Sequence, residues 1–407
     1  MKRLSYALIV AAWSGTGIPA WSQPPLQQLY DDQRWFDLRD ALRDREAPAL
    51  YRAAVASAFN RSEEAEREFS RIIRESADAT AASAAREGLL GLYMRTGRFG
   101  DALKLADEVL TTSPGRADLR NLKSILAGAG ATNQQLTSSR PATFACATDA
   151  GHVRMPISID GQTVNWALDT GFNLPGLSES EAHMLGLVVH DVAGEAVDGA
   201  GGSTTIRAAV ADRVKIGGTE LRQVLMLVFP DDQPPWNEWQ AGQRGLIGLP
   251  VALALQSIRW TSRGTCETGP RRVALRGAEG NLAFNGAAPQ IRVAFDERSL
   301  SFDLDTGNMR QTQLWSRFAE DFPDLVAQQG TRGRVSLTQI GGSSEHDVIA
   351  LPEVRMRVGG FDTVLRPANV FFPPVGGTHS HGNLGMDLLN QASEVTIDFR
   401  SMVVILR

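Results

Sequence analysis

The triplet Asp-Thr-Gly occurs twice in the sequence, at Asp169–Gly171 and at Asp305–Gly307. Each copy follows an alternating apolar run, so each aspartate is predicted to stand at the end of a β-strand. A lone triplet is weak support for any function, because many such triplets form simple turns. Two copies at the same place in a repeat are a strong signal, since two carboxyl groups sharing one site can divide acid and base roles.

Each position of the triplet has a physical use. Glycine has no side chain, so Gly171 and Gly307 let the partner backbone approach closely. The hydroxyl groups of Thr170 and Thr306 can tie the two loops together by hydrogen bonds. Two carboxyl groups so close cannot both ionise easily, so one pKa falls and the other rises. The ionised carboxylate can then take a proton from water, while the protonated carboxyl donates to a carbonyl oxygen.

The triplets lie in an internal repeat. One copy begins PISIDGQTVNWALDTGFNLPGLSES (156–180) and the other QIRVAFDERSLSFDLDTGNMRQTQL (290–314). Each copy continues into a glycine-rich hairpin tip and then an apolar-apolar-glycine turn. The tips hold Gly201 and Gly202, then Gly341 and Gly342; the turns hold Ile247 and Gly248, then Leu384 and Gly385, with Asn383 at the first apolar place of the second turn. From aspartate to turn glycine the chain runs 79 residues in the first copy and 80 in the second.

On these motifs the chain from about Phe144 to Arg407 is similar to the pepsin/retropepsin-type aspartic peptidases. The resemblance implies two pseudo-symmetric retropepsin-like β-barrel lobes, at 140–270 and 285–407, each with six or seven strands. It also implies that the two aspartates hold the lytic water and that the glycine-rich tips act as flaps. The sequence departs from the family after the triplets, where Phe172 and Asn308 stand in place of Ser, Thr or Ala.

A helical domain is predicted upstream, at 23–135, because apolar residues recur there with helical spacing. Five breaks, near 45–48, 60–62, 76–78, 96–98 and 113–114, divide the stretch into about six helices. The segment 89–114 resembles a tetratricopeptide repeat, with Tyr93, Gly97, Ala102 and Pro114 at matching positions. The alternative is a plain helical bundle.

Residues 1–22 read as a signal peptide, with Lys2 and Arg3 before a short apolar stretch and small residues near the end. We therefore expect an exported protein, periplasmic or secreted, with no membrane span in the mature chain. The two cysteines, Cys146 and Cys266, are expected to form a disulfide in that oxidising compartment.

Other candidates are weaker. A net charge of −5 and the absence of a basic run exclude nucleic acid as an expected partner. His379 and His381 lack companions at ligand spacing, so a solvated loop is favoured over a metal site, and no cofactor is expected. Asp160, Asp303 and Asp398 are interpreted as turn or strand-surface carboxylates. Two tryptophans, Trp236 and Trp239, either line a substrate groove or anchor their loop.

The function expected from these observations is aspartic endopeptidase activity on peptide or protein substrates, by a monomer whose helical domain offers a surface for a protein partner. Two alternatives stay open. One is a non-catalytic module on a peptidase fold that binds peptides or an envelope protein. The other is a scaffold assembled mainly through the helices.

Overall fold

The computed structural model describes residues 24–43, 45–149, 151–197, 202–271, 280–309, 311–339, 342–372 and 379–407. A helical N-terminal region is followed by two β-rich halves, as the sequence predicts. The predicted signal peptide lies outside the described residues. Within the part that the structure describes, no helix is both long enough and apolar enough to cross a membrane.

The described part of the N-terminal region forms seven helices: α1 (Leu26–Asp31), α2 (Trp35–Ala41), α3 (Ala49–Ala58), α4 (Ser62–Glu75), α5 (Ala79–Arg95), α6 (Phe99–Thr112) and α7 (Ala117–Gly128). All five predicted breaks fall between helices. An additional break divides α1 from α2, where Gln33 has a φ of +53°. The sequence did not predict this turn because it contains no Gly or Pro. In α4 the buried residues Ala65, Phe69 and Ile72 recur with helical spacing, so this helix packs one apolar stripe inward. The tetratricopeptide resemblance of α5 and α6 stays a prediction.

A nine-stranded sheet, called here the first sheet, carries the first triplet. Its strands are β1 (Gln135–Ser138), β3 (Ala147–Asp149), β4 (His152–Ile159), β5 (Gln162–Leu168), β6 (Gly176–Ser178), β7 (Val189–Val197), β8 (Ser203–Ile216), β9 (Thr219–Phe229) and β10 (Gly245–Ile247). The order is β1-β9-β6-β10-β5-β4-β8-β7, with β3 on β4. Because β8 also pairs with β9, the strands between them close into a barrel. Two short helices, α8 (Glu179–Met184) and α9 (Leu249–Ala254), follow β6 and β10.

The second sheet has ten strands and carries the second triplet. They are β13 (Leu282–Asn285), β14 (Ala288–Phe295), β15 (Arg298–Leu304), β16 (Gln313–Leu314), β17 (Thr331–Gln339), β18 (Gly342–Leu351), β19 (Val354–Val358), β20 (Phe361–Leu365), β21 (Ala368–Phe372) and β22 (Gly382–Leu384). Its helices are α10 (Ser316–Asp321), α11 (Pro323–Gln329) and α12 (Met386–Leu389). The order β21-β16-β22-β15-β14 matches β9-β6-β10-β5-β4 of the first sheet.

A third, five-stranded sheet joins the two halves, and the sequence did not predict it. It consists of β2 (Ala142–Ala145), β11 (Ser257–Thr261), β12 (Thr265–Thr268), β23 (Glu394–Asp398) and β24 (Val403–Leu406). Strand β11 from the first half pairs with β23 from the chain's end. The predicted six or seven strands per lobe are therefore wrong, because short strands such as β1, β3 and β13 are too brief to show a sequence pattern.

The helical region packs directly on both β-rich halves. Arg95 of α5 is buried and donates to the carbonyl oxygen of Gly286 at 3.0 Å and to that of Ser57 at 2.7 Å. On the other side, Asn121 of α7 pairs with the backbone of Glu195 in β7, with two hydrogen bonds of 2.9 Å. Since Asn121 satisfies the outward backbone groups of one residue of this edge strand, it attaches α7 to β7.

The predicted disulfide is confirmed, with Cys146 and Cys266 bonded and their Cα atoms 5.6 Å apart. Cys266 lies in β12, directly opposite Phe144 of β2, and Cys146 follows that strand. The bond therefore closes a loop that contains the whole first sheet except β1.

Replacing both cysteines by alanine should lower the free energy of unfolding by about 4–5 kcal/mol, because the bond restricts a 120-residue loop in the unfolded chain. Urea denaturation of the double variant beside the wild type measures this difference. Wild-type protein unfolded under reducing conditions is the control and should lose a similar amount. A loss below about 1 kcal/mol in both would contradict the loop-restriction account.

Candidate active site

The two triplets occupy equivalent places at the ends of central strands. Asp169 follows β5, which pairs in parallel with β10, and Asp305 follows β15, which pairs in parallel with β22. The backbone N–H of Asp169 donates to Ile247 at 3.1 Å, and that of Asp305 donates to Leu384 at 3.0 Å. Each aspartate is thus anchored by the apolar residue of its own apolar-glycine turn.

The glycines of those turns are sterically required. A Cβ atom at Gly248 would lie 2.3 Å from the backbone of Leu174, and one at Gly385 would lie 2.5 Å from the carbonyl oxygen of Asn308. These turns therefore press against the loops that follow the triplets. The two turns predicted from the repeat therefore make the same kind of contact, each with the loop that follows its own triplet.

Four hydrogen bonds between the two halves connect the threonines, and we call this set the threonine clasp. The hydroxyl of Thr170 donates to Leu304 at 2.7 Å and accepts the backbone N–H of Thr306 at 3.1 Å. Reciprocally, the hydroxyl of Thr306 donates to Leu168 at 2.9 Å and accepts the N–H of Thr170 at 3.0 Å. Both threonines are fully buried, so water does not compete for these bonds.

The clasp brings each carboxyl group against the opposite loop. A Cβ atom at Gly171 would lie 2.6 Å from the carboxyl carbon of Asp305, and one at Gly307 would lie 2.3 Å from that of Asp169. Any side chain at either glycine would therefore push the two carboxyl groups apart. The structure thus brings Asp169 and Asp305 together, as the sequence predicts.

Burial raises the pKa of Asp169 well above its usual range, and the neighbouring charge of Asp305 raises it further. Backbone hydrogen bonds from Gly171 and Phe172 oppose this shift without reversing it. A raised pKa keeps a proton on Asp169 at pH values where an exposed aspartate is ionised. The pair can therefore hold one proton and one negative charge, as a general acid beside a general base requires.

A row of polar side chains crosses the second sheet beside Asp305, and the first sheet has no such row. Adjacent strands place these residues directly opposite one another: Gln290, Asp303, Asn383, Gln313 and Asn369. The equivalent residues of the first sheet are Arg154, Ala167, Leu246, Gly176 and Leu227. Residues directly opposite in paired strands share a face of the sheet, so the row forms one continuous polar strip.

Two members of this polar row matter to the site and were missed at the sequence level. The amide of Asn383 donates to the Asp305 carboxylate at 2.8 Å. Asp303, predicted as a turn or strand-surface carboxylate, is half-buried and accepts hydrogen bonds from Ser380 at 2.8 Å and Gln290 at 3.2 Å. The signal for Asn383 was present in the sequence, as the one polar residue in the paired apolar turns.

Several other expectations change. Ser380 and His381 are buried, and His381 contacts Asp321 at 3.0 Å, so this loop is not solvated as predicted. Asp398 is buried in the shared sheet, whereas Asp160 lies in a turn as expected. Across the described ranges, no cluster of three or more His, Cys, Asp or Glu residues could hold a metal ion.

Trp236 is fully buried and stacks on Phe229 at 5.4 Å between ring centroids, which identifies it as an anchor of its loop. Among the glycines of the predicted flap tips, Gly201 and Gly341 lie outside the described residues. Gly202 directly precedes β8 and Gly342 begins β18. The flap role stays a prediction.

A family model described as aspartyl protease matches residues 155–251, less than half of the chain. No curated protein matches the sequence. Among solved structures the chain is similar to a retropepsin-like aspartic protease from Rickettsia conorii, with 14% identity, 32% of this chain and 93% of that chain covered, and a TM-score of 0.23. It is also similar to Basic 7S globulin from soybean, with 11% identity, 65% and 96% coverage and a TM-score of 0.38. A third structure, edgp, has 10% identity, 65% and 94% coverage and a TM-score of 0.34.

Replacing Thr170 by Val should lower the free energy of unfolding by about 2–4 kcal/mol, because it leaves the buried carbonyl of Leu304 and the N–H of Thr306 without partners. Thr170→Ser is the matched control, since it keeps the hydroxyl and should cost less than half as much. Urea denaturation compares the two. Equal losses in both variants would mean that the methyl group matters and the hydrogen bonds do not.

Asp169→Asn should raise the melting temperature at neutral pH. The raised pKa means that protonated Asp169 contributes its full stability below about pH 4, and that this contribution is lost as pH rises through the folded-state pKa. Asparagine stays neutral, so the difference in melting temperature between variant and wild type should grow with pH. Asp160→Asn, at an exposed turn, is the control and should show no such growth. A difference that is constant with pH would contradict a raised pKa of Asp169.

Proposed function

We propose that this protein is an aspartic endopeptidase in which a water molecule is activated between Asp169 and Asp305. The observation that carries the proposal is the threonine clasp together with the two bare glycine positions. This arrangement sets two carboxyl groups, one from each half, against each other in a common site. The aspartyl protease family model supports the proposal for the first half of the site.

The reaction requires one ionised and one protonated carboxyl group. The ionised carboxylate takes a proton from the water molecule, whose oxygen forms a bond to the peptide carbonyl carbon. At the same time the carbonyl oxygen receives the proton of the other carboxyl group, which gives a neutral tetrahedral diol. The carboxyl group that took its proton from water then donates it to the amide nitrogen, and a hydroxyl of the diol gives a proton to the other carboxylate. The C–N bond breaks, and both carboxyl groups regain their starting protonation. No covalent intermediate with the protein forms.

The remaining features of the proposal follow from the sequence. Both aspartates are in one chain, so a monomer contains a complete site. The N-terminal segment directs export to the periplasm or the cell exterior, and the hairpins β7–β8 and β17–β18 cover the bound peptide. The helical region supplies a surface for a protein partner and takes no part in the chemistry.

The proposal is tested by incubating the mature protein with a diverse peptide library and identifying new termini by mass spectrometry. Asp169→Asn, Asp305→Asn and the double variant should each abolish cleavage to a similar extent, because the two carboxyl groups act as one unit. Each variant should remain folded, since Asn is nearly isosteric with Asp.

Asp160→Asn is the control and should cleave like the wild type. Cleavage retained by a folded Asp305→Asn variant would contradict the two-carboxyl mechanism. Peptides that bind to the wild type without being cut would instead favour the alternative, a non-catalytic peptide-binding module.

A further inference from the structure

The two candidate catalytic carboxyl groups have matching backbone donors. Asp305 accepts the backbone N–H groups of Gly307 at 2.9 Å and Asn308 at 3.1 Å. Asp169 accepts that of Gly171 at 3.0 Å and is also hydrogen-bonded by the backbone of Phe172. Since these donors are equivalent in the repeat, they do not by themselves decide which carboxyl group carries the charge.

Asn383 breaks the equivalence. Its side-chain amide donates to the second oxygen of the Asp305 carboxylate at 2.8 Å. The structurally equivalent residue on the other side is Leu246, which has no donor and pairs with Ala167. Asp305 therefore receives hydrogen bonds on both carboxylate oxygens, and an N–H donor stabilises the charged form of a carboxyl group over the neutral form.

The residues that follow the triplets do not donate side-chain hydrogen bonds to the two carboxyl groups. The side chain of Asn308 donates to the carbonyl oxygen of Gln311 at 2.9 Å, within its own loop. The side chain of Phe172 has no polar atom and packs against Phe229. Neither residue that follows a triplet thus offers a side-chain donor to its carboxylate in the geometry observed.

Among the described residues, the charged and titratable groups near Asp305 include Asp169 across the site and Asp303 on its own strand, and the charge of His379 acts on Asp303. Burial raises the pKa of Asp303, and the charge of Asp305 raises it further, although Ser380 and Gln290 oppose the shift. A raised pKa shifts Asp303 toward its neutral form, which limits its repulsion of a charged Asp305.

We propose that Asn383 is a positioning residue that keeps the negative charge of the pair on Asp305 and the shared proton on Asp169. Within the proposed function, on which this assignment rests, Asp305 is then the base that deprotonates water. Asp169 is the acid that protonates the carbonyl oxygen. The two halves of the site have fixed and different roles, although the loops that hold them are related by the repeat.

The first arm of the test needs no substrate. Protein labelled with ¹³C at the aspartate carboxyl carbons is titrated by NMR, and the two signals are assigned by their loss in Asp169→Asn and Asp305→Asn. In the wild type, Asp305 should ionise at lower pH than Asp169. In Asn383→Leu, which copies the other half, the ionisation of Asp305 should move upward by about one to two pH units, the equivalent of one hydrogen bond to a charged group.

Asn369→Leu is the matched control, because it makes the same change in the same polar row two strands away from β22. It should leave the titration of Asp305 unchanged. If Asn383→Leu does not fold, Asn383→Ala removes the amide donor with a smaller side chain. An Asp305 titration that stays unchanged or moves downward without Asn383 would overturn the assignment.

The second arm measures kcat/KM against pH on a peptide that the wild type cuts. The acid limb of the profile should move upward in Asn383→Leu by the same amount as the titration of Asp305, whereas a purely structural role would lower activity without moving the limb. If the wild type cuts nothing but the titrations differ as expected, the peptidase function fails and the charge assignment stands. If cleavage depends on both aspartates but the acid limb and the titration do not move, the assignment fails and the function stands.

Discussion

The threonine clasp is the interaction on which the rest of this structure depends. Thr170 and Thr306 each donate to a carbonyl of the opposite half and each accept an N–H from the other's backbone. Because both hydroxyls are buried and each donates one hydrogen bond and accepts another, neither loop can move without breaking several hydrogen bonds at once. This constraint lets two carboxyl groups remain in contact despite their repulsion. The triplets stand at strand ends, where the parallel neighbours β10 and β22 hold the backbone.

Two related halves do not make a symmetric site. The first sheet presents Ala167 and Leu246 where the second presents Asp303 and Asn383. Packing on the first side is apolar and leaves a raised pKa at Asp169, whereas the second side supplies hydrogen-bond donors to a charge. Such a difference suits acid–base chemistry. When two environments separate the pKa values of two carboxyl groups, one group serves as the acid and the other as the base.

The surrounding architecture restrains the two halves from outside the site. The third sheet joins the two halves by pairing β11 with β23. The disulfide between Cys146 and Cys266 links the two ends of the segment that forms most of the first sheet. The helical region adds contacts on both sides, through Arg95 to the hairpin after β13 and through Asn121 to β7. The backbone of β7, a strand of the proposed first flap, is therefore bonded to a helix outside the β-rich halves.

The amino-acid sequence alone determined the repeat, the helical region with its five breaks, the paired aspartates and the disulfide, because each leaves a local pattern or a countable residue. It did not reveal the shared sheet, whose strands β11 and β23 are distant in the chain and meet only through tertiary pairing. It also misjudged His381, which it placed in a solvated loop, and missed the hydrogen-bond partners of Asp303. Burial and hydrogen-bond partners depend on which strands become neighbours. The sequence marked Asn383 as the one polar residue in the paired apolar turns. Only the register of β22 on β15 showed that its amide donates to Asp305.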